Sequence, residues 1–453
     1  MALRDAIAAY HDLLTDERAA QSQVQIDDQL TRRGLFFGER PLTSVLRPRF
    51  LTPAQYTYLR ERTRPVLSAF DKAYRAALAD RAVRDQFRLM PWEDELIALD
   101  PGFALASPTG RLDTFLSDDA SSLKLVEYNA ETPAAPAYND VLTEVFWGLP
   151  VMRDFLRAWE VRPLPVRHSV LHALLAAFEQ WSRASGNTAP PSIGILDWRD
   201  VPTYSEHLLF KDYFAAQGIA AITCDPRAVE YRDGALVCGD FAINLIYKRV
   251  LISELIAREG RDGPVVRAVA DGAVCMVNPF RCKVLHKKAS LAVLSDERNA
   301  ALFTPDERQA IADHIPWTRI VAERHTDYHG QQVDLLPHIA AQRDRFVLKA
   351  NDEYGGKGIY LGWETPAAEW EQALRLALDE PFVVQERVAV PSEPYPSLIA
   401  GTLQIFDRIL DTAPFVFGGA YVDGALTRLS TEALVNVTAG GGSTVPTFVV
   451  QPR

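Results

Sequence analysis

A lysine- and glycine-rich segment between residues 346 and 359 has the residue types that bind phosphate groups. A strand-like run, a short polar turn, a glycine-rich stretch and a second strand-like run follow one another there. Glycines let backbone N–H groups approach an anion closely, and ammonium groups neutralise phosphate charge. The spacing matches neither the Walker loop nor GxGxxG, so the segment predicts a phosphate-binding lid, with a simple glycine-containing hairpin as the alternative. Its candidate phosphate contacts are Lys349, Gly355, Gly356, Lys357 and Gly358.

The apolar run 381–384 ends in the polar pair Gln385 and Glu386. Such a strand can offer backbone groups to an adenine edge, and a carboxylate accepts hydrogen bonds from ribose hydroxyls. A buried strand that ends at the surface would have the same pattern. The pair therefore predicts a nucleoside-binding strand mainly because it follows the lysine–glycine segment.

Asp113, Glu127 and Asn129 form a third candidate group. Glu127 and Asn129 are two residues apart in the strand-like run 123–129, so their side chains share one face. Asp113 lies far enough upstream to belong to the neighbouring strand of a hairpin. Carboxylate and amide oxygens suit Mg²⁺, so the group predicts a metal site, with a solvated strand face as the alternative.

The first half of the chain must supply the strand that carries these oxygens. Residues 1–90 have helical patterning, which includes a capping box at 52–55. Strand-like runs follow between 87 and 131, and a second helical stretch covers 140–185.

The second half must supply the phosphate segment. Residues 187–277 alternate strand and helix, which predicts a parallel α/β unit whose strands end at a ligand site. A helix with a capping box at 304–307 precedes antiparallel strands. These strands are predicted at 345–349, 359–363, 381–388, 402–409, 415–422 and 434–438. The predicted units are therefore 1–90, 91–186, 187–277 and 278–453.

Composition excludes several classes of protein. The 453 residues include 48% hydrophobic residues and 24% charged residues, as in globular proteins. The net charge of −11 and the absence of a basic cluster argue against a nucleic-acid partner. No stretch of sequence is apolar enough to span a membrane, and the amino terminus lacks the core of a signal peptide. The four cysteines have no zinc-type spacing. We therefore expect a cytoplasmic protein.

Together these motifs resemble the ATP-grasp superfamily. The usual order places the metal-binding Glu-x-Asn after the nucleotide lid, whereas here Glu127 and Asn129 precede it. That permuted order, with the stretch 125–133, is similar to the synthetase domain of glutathionylspermidine synthetase and its circularly permuted relatives. The resemblance covers residues 90–453. It implies an α/β (α+β) fold, a circularly permuted ATP-grasp core with a parallel α/β pre-ATP-grasp-like domain and a helical amino-terminal region.

The resemblance also implies roles for individual residues, with ATP and Mg²⁺ as cofactors. Lys288 and Lys349 would contact the ATP phosphates, although the local pattern does not separate Lys288 from Lys287. Arg428 would stabilise the transferred phosphoryl group. Asn436 and the glycines at 440–442 close the site in related proteins, or form a turn. By position, Asp113, Glu127 and Asn129 would hold Mg²⁺, residues 355–358 would form the flexible loop, and Gln385 and Glu386 would line the adenine and ribose site.

Two features depart from the family. The bifunctional enzyme has an amino-terminal amidase with a cysteine nucleophile, whereas this chain has no cysteine before Cys224. The family's Asn-Ala-Asp-Thr-Pro has Glu131 in place of its aspartate here, which leaves the acceptor pocket open.

The activity that the resemblance implies is an ATP-dependent carboxylate–amine ligase. Such an enzyme phosphorylates a carboxylate and then lets an amine displace phosphate, so its partners would be small-molecule carboxylate and amine substrates. The alternatives are a non-catalytic nucleotide-binding or partner-binding module with this fold, and an unrelated α/β protein with accidental motifs.

Overall fold

The computed structural model describes residues 2–353, 357–431 and 442–453. Some predicted features lie outside these residues. They are Gly355, Gly356, Asn436, Gly440, Gly441 and the predicted strand at 434–438.

The amino-terminal region is mainly helical, as its patterning predicts. The Thr52 capping box is confirmed, because the Thr52 hydroxyl accepts from the Gln55 N–H and the Gln55 side chain accepts from the Thr52 N–H. The elements are α1 Ala2–Asp12, α2 Asp16–Arg33, β1 Phe36–Phe37, β2 Arg40–Pro41, β3 Arg49–Leu51, α3 Pro53–Ala79 and α4 Arg81–Arg84.

The next region contributes the strand pair of the predicted metal site. Residues Leu123–Asn129 form strand β5, with the predicted bounds, and Thr109–Leu116 form its antiparallel neighbour β4, with Asp113 opposite Glu127. The elements are α5 Pro91–Ile97, β4 Thr109–Leu116, β5 Leu123–Asn129, α6 Pro136–Trp147, α7 Pro150–Phe155, β6 Trp159–Pro163 and α8 Arg167–Ser185.

The prediction of one helical stretch over 140–185 is wrong. Pro150 starts a new helix, and β6 separates α7 from α8. The burial of Trp159 and Val161 alternates with the exposure of Glu160, which is strand periodicity that neighbouring helices obscured.

Residues 187–277 contain the predicted alternation of strand and helix. The elements are β7 Ser192–Leu196, α9 Tyr204–Ala216, β8 Ala220–Cys224, β9 Val229–Arg232, β10 Ala235–Cys238, β11 Phe241–Ile243, β12 Leu245–Lys248, α10 Ile252–Glu259, α11 Pro264–Ala270 and β13 Cys275–Val277. One sheet has the order β13-β12-β7-β8, and every pairing in it is parallel, as predicted. A second sheet, of order β11-β10-β9, is antiparallel.

The carboxyl-terminal region has the predicted antiparallel strands and the capping box at Thr304. Its elements are α12 Cys282–His286, α13 Ala289–Ser295, α14 Pro305–His314, β14 Thr318–Ile320, β15 His325–Tyr328, β16 Gln331–Asp334, α15 Leu335–Ala341, β17 Phe346–Ala350, β18 Ile359–Leu361, α16 Ala367–Asp379, β19 Phe382–Glu386, β20 Ser392–Ile399, β21 Thr402–Leu410, β22 Ala413–Phe417, β23 Tyr421–Ser430 and β24 Ser443–Pro452.

The predicted single strand over 415–422 is two strands. Strand β22 ends at Phe417, and β23 begins at Tyr421. Gly418 and Gly419 both have φ near +60°, a backbone conformation that glycine adopts without strain. The chain therefore reverses at these glycines.

Two sheets position the candidate site. The smaller one has the antiparallel order β14-β19-β17-β18. The larger contains the path β20-β21-β23-β22-β4-β5, and β24 joins it to β3 and β6. Strand β3 pairs in parallel with β24, so the amino-terminal region shares a sheet with the last residues of the chain. The division of the chain at residues 90, 186 and 277 stays a prediction.

A β-bulge orients the predicted metal strand. Asp113 pairs with Glu127, whereas Thr114 pairs with Leu125, so Val126 is the extra residue. Leu125 is buried in the core beneath α3, while Glu127 lines a cavity on the opposite side. Without the bulge these two residues would share a face.

Within the described residues, no helix is both long and apolar enough to cross a membrane.

Candidate functional site

A cavity of about 580 Å³ lies where β5, the β17–β18 hairpin, β19 and the ends of the parallel strands meet. It brings together predicted residues from distant parts of the chain. Those that line it are Asp113, Glu127, Asn129, Lys349, Lys357, Gln385, Glu386 and Arg428. The predicted metal group and two of the predicted phosphate contacts, Lys349 and Lys357, therefore face one space, whereas Lys288 and Gly358 are not among the described lining residues.

Two lysines contact the bulged strand β5. Lys349 on β17 donates from Nζ to the backbone oxygen of Val126, 223 positions away in the chain, at 3.3 Å. Lys288 Nζ lies 3.3 Å from Glu127 Oε1. The bulged strand and the two ammonium groups are thus in direct contact.

The pKa of Lys349 is lowered to about 8, mainly by burial and in part by the charge of Lys288, while Glu127 and Asp113 oppose the shift. The Lys349 ammonium donates to Gln385 Oε1 at 2.7 Å. A buried ammonium with a depressed pKa is stabilised by an anion. The site therefore favours a negatively charged ligand beside Lys349.

The local pattern could not separate Lys287 from Lys288, but the structure places them differently. Lys287 Nζ lies 2.8 Å from Glu93 Oε1 and 2.9 Å from Asp352 Oδ2, in a buried ion cluster. Lys288 also donates to the backbone oxygen of Glu353 at 2.6 Å. Lys288 is therefore the lysine beside the predicted metal strand and at the start of the lid segment.

Asp113 is held by two arginines. Arg428 Nη2 lies 2.7 Å from Asp113 Oδ2, and Arg111 Nε lies 3.3 Å from Asp113 Oδ1. Burial alone would raise the pKa of Asp113, but Arg428 and Arg111 hold it at about 2. The carboxylate is therefore ionised and already paired.

Glu127 and Asn129 fit a Mg²⁺ ion better than Asp113 does. The Asn129 side-chain N–H donates to Asp113 Oδ1 at 3.0 Å, which leaves the amide oxygen of Asn129 for an ion. The Glu127 side chain is 21% exposed and lines the cavity. Both are hard oxygen donors of the kind that Mg²⁺ prefers. Asp113, in contrast, would have to lose its ion pair with an arginine before it could bind the metal ion.

A second group of possible metal ligands lies nearby, formed by Glu131, His286 and Asp352. Lys283 Nζ sits between its carboxylates, 3.2 Å from Glu131 Oε2 and 2.7 Å from Asp352 Oδ1. Because an ammonium already neutralises them, this group does not fit a metal ion. Glu131 is fully buried in the cluster and is not a lining residue of the cavity among those described.

The two predicted nucleoside-binding residues, Gln385 and Glu386, lie in different environments. Gln385 is buried and donates from Nε2 to Thr318 Oγ1 at 3.1 Å. Glu386 accepts a hydrogen bond from the Tyr328 hydroxyl at 2.8 Å, and His329 Nε2 lies 3.1 Å from its other oxygen. Gln385 thus orients Lys349, while Glu386 presents a carboxylate at the cavity edge.

Of the three glycines in the predicted phosphate-binding lid, the structure describes Gly358. Its φ is +64°, and a Cβ there would lie 2.7 Å from the Cβ of Ala350. Its backbone oxygen accepts from the Ala350 N–H at 2.9 Å. A larger residue would push the loop away from β17, so glycine is required where the segment rejoins the sheet.

Sequence reasoning missed Asp411 and Arg111. Asp411 follows β21 and accepts from Arg428 Nε at 2.7 Å, while Arg111 precedes Asp113 by two residues on β4. The alternation on β4 was a usable signal for Arg111, because residues two apart share a face. Asp411 had no local signal, since its contacts are set by the pairing of distant strands.

No protein-family model matches this chain. A curated Frankia alni protein named "Putative glutamate–cysteine ligase 2-3" is 24% identical over 213 residues, which are 44% of this chain and 23% of that protein. The chain thus matches about a quarter of the length of this relative.

The solved apo structure of a glutathione synthetase-like effector from Globodera pallida is similar over 95% of this chain and 96% of that chain, with a TM-score of 0.61 and 11% identity. The chain therefore shares its mixed α/β fold with this effector. A RimK domain ATP-grasp protein from Sphaerobacter thermophilus aligns with 57% of this chain and 90% of that chain at 18% identity, with a TM-score of 0.27.

Proposed function

We propose that this protein is an ATP-dependent, ADP-forming carboxylate–amine ligase that makes an amide or peptide bond through an acyl phosphate. The observation that carries the proposal is the contact of Lys349 and Lys288 with the strand that bears Glu127. In one cavity it combines cations for phosphates with oxygen donors for Mg²⁺. The fold alone would not require these residues to meet.

ATP would lie along the β17–β19 side of the cavity. Val347, Leu361 and Val388 supply apolar lining for the adenine ring. Glu386 would accept hydrogen bonds from ribose hydroxyls. Lys349 and Lys288 would then contact the phosphates.

Glu127 and Asn129 would hold Mg²⁺, which when bound neutralises phosphate charge and fixes the γ-phosphate for transfer. Arg428 is positioned by Asp113 and Asp411. An N–H of Arg428 would donate a hydrogen bond to an oxygen of the transferred phosphoryl group as negative charge develops there. These residues supply the positioning and charge stabilisation that phosphoryl transfer needs.

The reaction has two balanced steps. A substrate carboxylate oxygen attacks the γ-phosphorus, and ADP leaves, giving an acyl phosphate. The nitrogen of the neutral amine attacks the acyl carbon, the carbon–oxygen bond to phosphate breaks, phosphate leaves with the electron pair, and one proton passes from the nitrogen to the departing phosphate. Closure of the segment that ends at Gly358 would exclude water, which would otherwise hydrolyse the acyl phosphate.

We further propose that the ATP-grasp core is circularly permuted and resembles that of glutathionylspermidine synthetase. The support is the chain order, in which β5 with Glu127 precedes β17 with Lys349. The names of the Frankia relative and of the Globodera structure agree with a carboxylate substrate of the amino-acid or peptide type.

ADP release tests this function. The protein is incubated with Mg²⁺, ATP, a panel of amino-acid and peptide carboxylates and hydroxylamine, which traps acyl phosphates as hydroxamates. Wild type should form ADP and a hydroxamate, while Lys349→Ala and Glu127→Gln should form neither and keep the wild-type circular dichroism spectrum. Lys211→Ala, at an exposed lysine on α9, is the matched control. Nucleotide-induced stabilisation without ADP or hydroxamate from any substrate would instead identify a binding module.

A further inference from the structure

A buried ion cluster that the proposed reaction does not use lies beside the candidate site. It contains three lysines and three carboxylates, so its charges balance. They are Lys248, Lys283, Lys287, Glu93, Glu131 and Asp352. The Asp352 side chain is 27% exposed, and the other five side chains are at most 3% exposed. Because the desolvation of buried ions offsets much of their attraction, the elements that the cluster joins are more informative than its net effect on stability.

The cluster joins the ends of two strands to α12. Lys283 lies in α12, and Lys287 follows this helix directly. Glu131 lies two residues after the end of β5, and Asp352 lies two residues after the end of β17. The predicted metal strand and the strand of the phosphate segment therefore meet at one group of charges.

Asp352 pairs with two lysines that are one helical turn apart. Its Oδ1 accepts from Lys283 Nζ at 2.7 Å, and its Oδ2 lies 2.9 Å from Lys287 Nζ. Burial alone would raise the pKa of Asp352, but Lys283 and Lys287 hold it well below its usual range. The carboxylate is therefore ionised, and it ties the chain after β17 to α12.

The residues on both sides of Asp352 hold Lys288. The Asn351 backbone oxygen accepts from the Lys288 N–H at 3.0 Å, and Asn351 Oδ1 accepts from the Ala289 N–H at 2.8 Å. The Glu353 backbone oxygen accepts from Lys288 Nζ at 2.6 Å. These three consecutive residues therefore fix both the backbone and the ammonium group of Lys288.

The same part of the chain is tied to the predicted metal strand. Lys283 Nζ lies 3.2 Å from Glu131 Oε2, and Lys288 Nζ lies 3.3 Å from Glu127 Oε1. Packed interiors transmit small displacements, because they contain few voids that could absorb them. A change at Asp352 would therefore reach Lys288 through these contacts.

We propose that Asp352 is a positioning residue, which holds Lys288 beside Lys349 at the spacing that the phosphates of ATP need. This inference rests on the proposed ligase function, which places the phosphates at these two lysines. Asp352 acts through Lys283 and Lys287 and through its own segment of chain. Its replacement should therefore weaken the contacts with the phosphates. Binding of adenosine depends on the apolar lining and on the carboxylate at the cavity edge, and should not change.

Paired titrations with ATP and adenosine separate these two kinds of contact. Both ligands are titrated calorimetrically, with Mg²⁺ present, into wild type, Asp352→Asn and Asp344→Asn, whose replaced carboxylate is exposed. Wild type should bind ATP more tightly than adenosine. Asp352→Asn should bind ATP at least about tenfold more weakly, because a charged hydrogen-bond acceptor of both lysines is lost. Its affinity for adenosine should be that of wild type, and Asp344→Asn should bind both ligands as wild type does.

A charge-balanced variant separates positioning from stability. Asp352→Asn leaves an excess ammonium group in the cluster and should lower the urea midpoint of unfolding. Lys287→Met combined with Asp352→Asn removes one charge of each sign and should recover part of that midpoint, while its affinity for ATP should stay low. Asp352→Glu keeps the carboxylate and should bind ATP more tightly than Asp352→Asn does.

Three results would overturn the inference. They are wild-type affinity of Asp352→Asn for ATP, equal losses of its affinities for ATP and adenosine, and recovery of ATP affinity in the double variant. The double variant carries the test even if Asp352→Asn does not fold. Failure of wild type to bind ATP would refute the ligase function itself, whatever the variants show.

Discussion

Replacing Lys349 by methionine should abolish ATP turnover and also change how stability depends on pH. The pKa of Lys349 is lowered from 10.5 to about 8 in the folded protein, so the unfolded chain binds a proton more tightly than the folded one. The charged form therefore destabilises the fold fully below pH 8, and this cost disappears as pH rises towards 10.5. Methionine has a similar volume and carries no charge.

The size of the effect follows from linkage. Between pH 7.5 and 9.5 the free energy of unfolding of wild type should rise by up to about 2 kcal/mol relative to that of Lys349→Met. The exposure of Lys349 to the cavity makes this an upper value. The hydrogen bond to Gln385 that the variant loses shifts its stability at all pH values, so the pH dependence of the difference is the informative quantity.

Urea unfolding at several pH values measures this difference, and Lys211→Met serves as the exposed control. ADP release measured on the same samples reports function. A stability difference that does not change with pH would refute the assignment of Lys349 as a desolvated ammonium in the cavity. Wild-type ADP release by Lys349→Met would refute its role at the phosphates.

Three further predictions follow from the site. Glu127→Gln should reduce the gain in ATP affinity that Mg²⁺ produces by at least about tenfold, because it removes a charged oxygen donor. Titration calorimetry at several Mg²⁺ concentrations measures this gain, and an unchanged gain would exclude Glu127 as a ligand. Arg428→Gln should lower the free energy of unfolding by about 3 kcal/mol, measured with urea, because the buried carboxylates of Asp113 and Asp411 lose their common partner. Asp113→Asn in the same background should restore part of the lost stability. Gly358→Ala should reduce ADP release without loss of the global fold, since its φ of +64° disfavours alanine by about 1 kcal/mol; normal turnover would show that the lid does not need this conformation.

Local signals in the sequence were sufficient for several elements. The capping boxes at Thr52 and Thr304 depend on residues three positions apart, and both are present. Alternating apolar and charged residues predicted the bounds of β5, and the alternation of strand and helix predicted the parallel sheet that contains β7 and β8. These features are encoded within a few neighbouring residues.

Other features depend on contacts that no local pattern contains. The bulge at Val126 is a one-residue shift in the register between β4 and β5, and it depends on how these two strands pair. Strand β6 is stabilised by pairing with β24, at the far end of the chain. Asp411 acquires its place in the site only when β23 brings Arg428 beside it. Sequence patterns could therefore predict the lysines and the strand of the metal site. They could not show that Asp113 and Asp411 would both pair with Arg428.

The assignment of the candidate site depends on whether ATP phosphates lie between the bulged strand and the two lysines. Labelling with an acyl phosphate derivative of ATP, which transfers its acyl group to lysines beside the bound phosphates, measures this directly by mass spectrometry of the digested protein. We predict that Lys288 or Lys349 is acylated, and that excess Mg²⁺-ATP prevents it in wild type but much less in Glu127→Gln. Acylation that is confined to other lysines, or that ATP does not suppress, would contradict the proposed cleft.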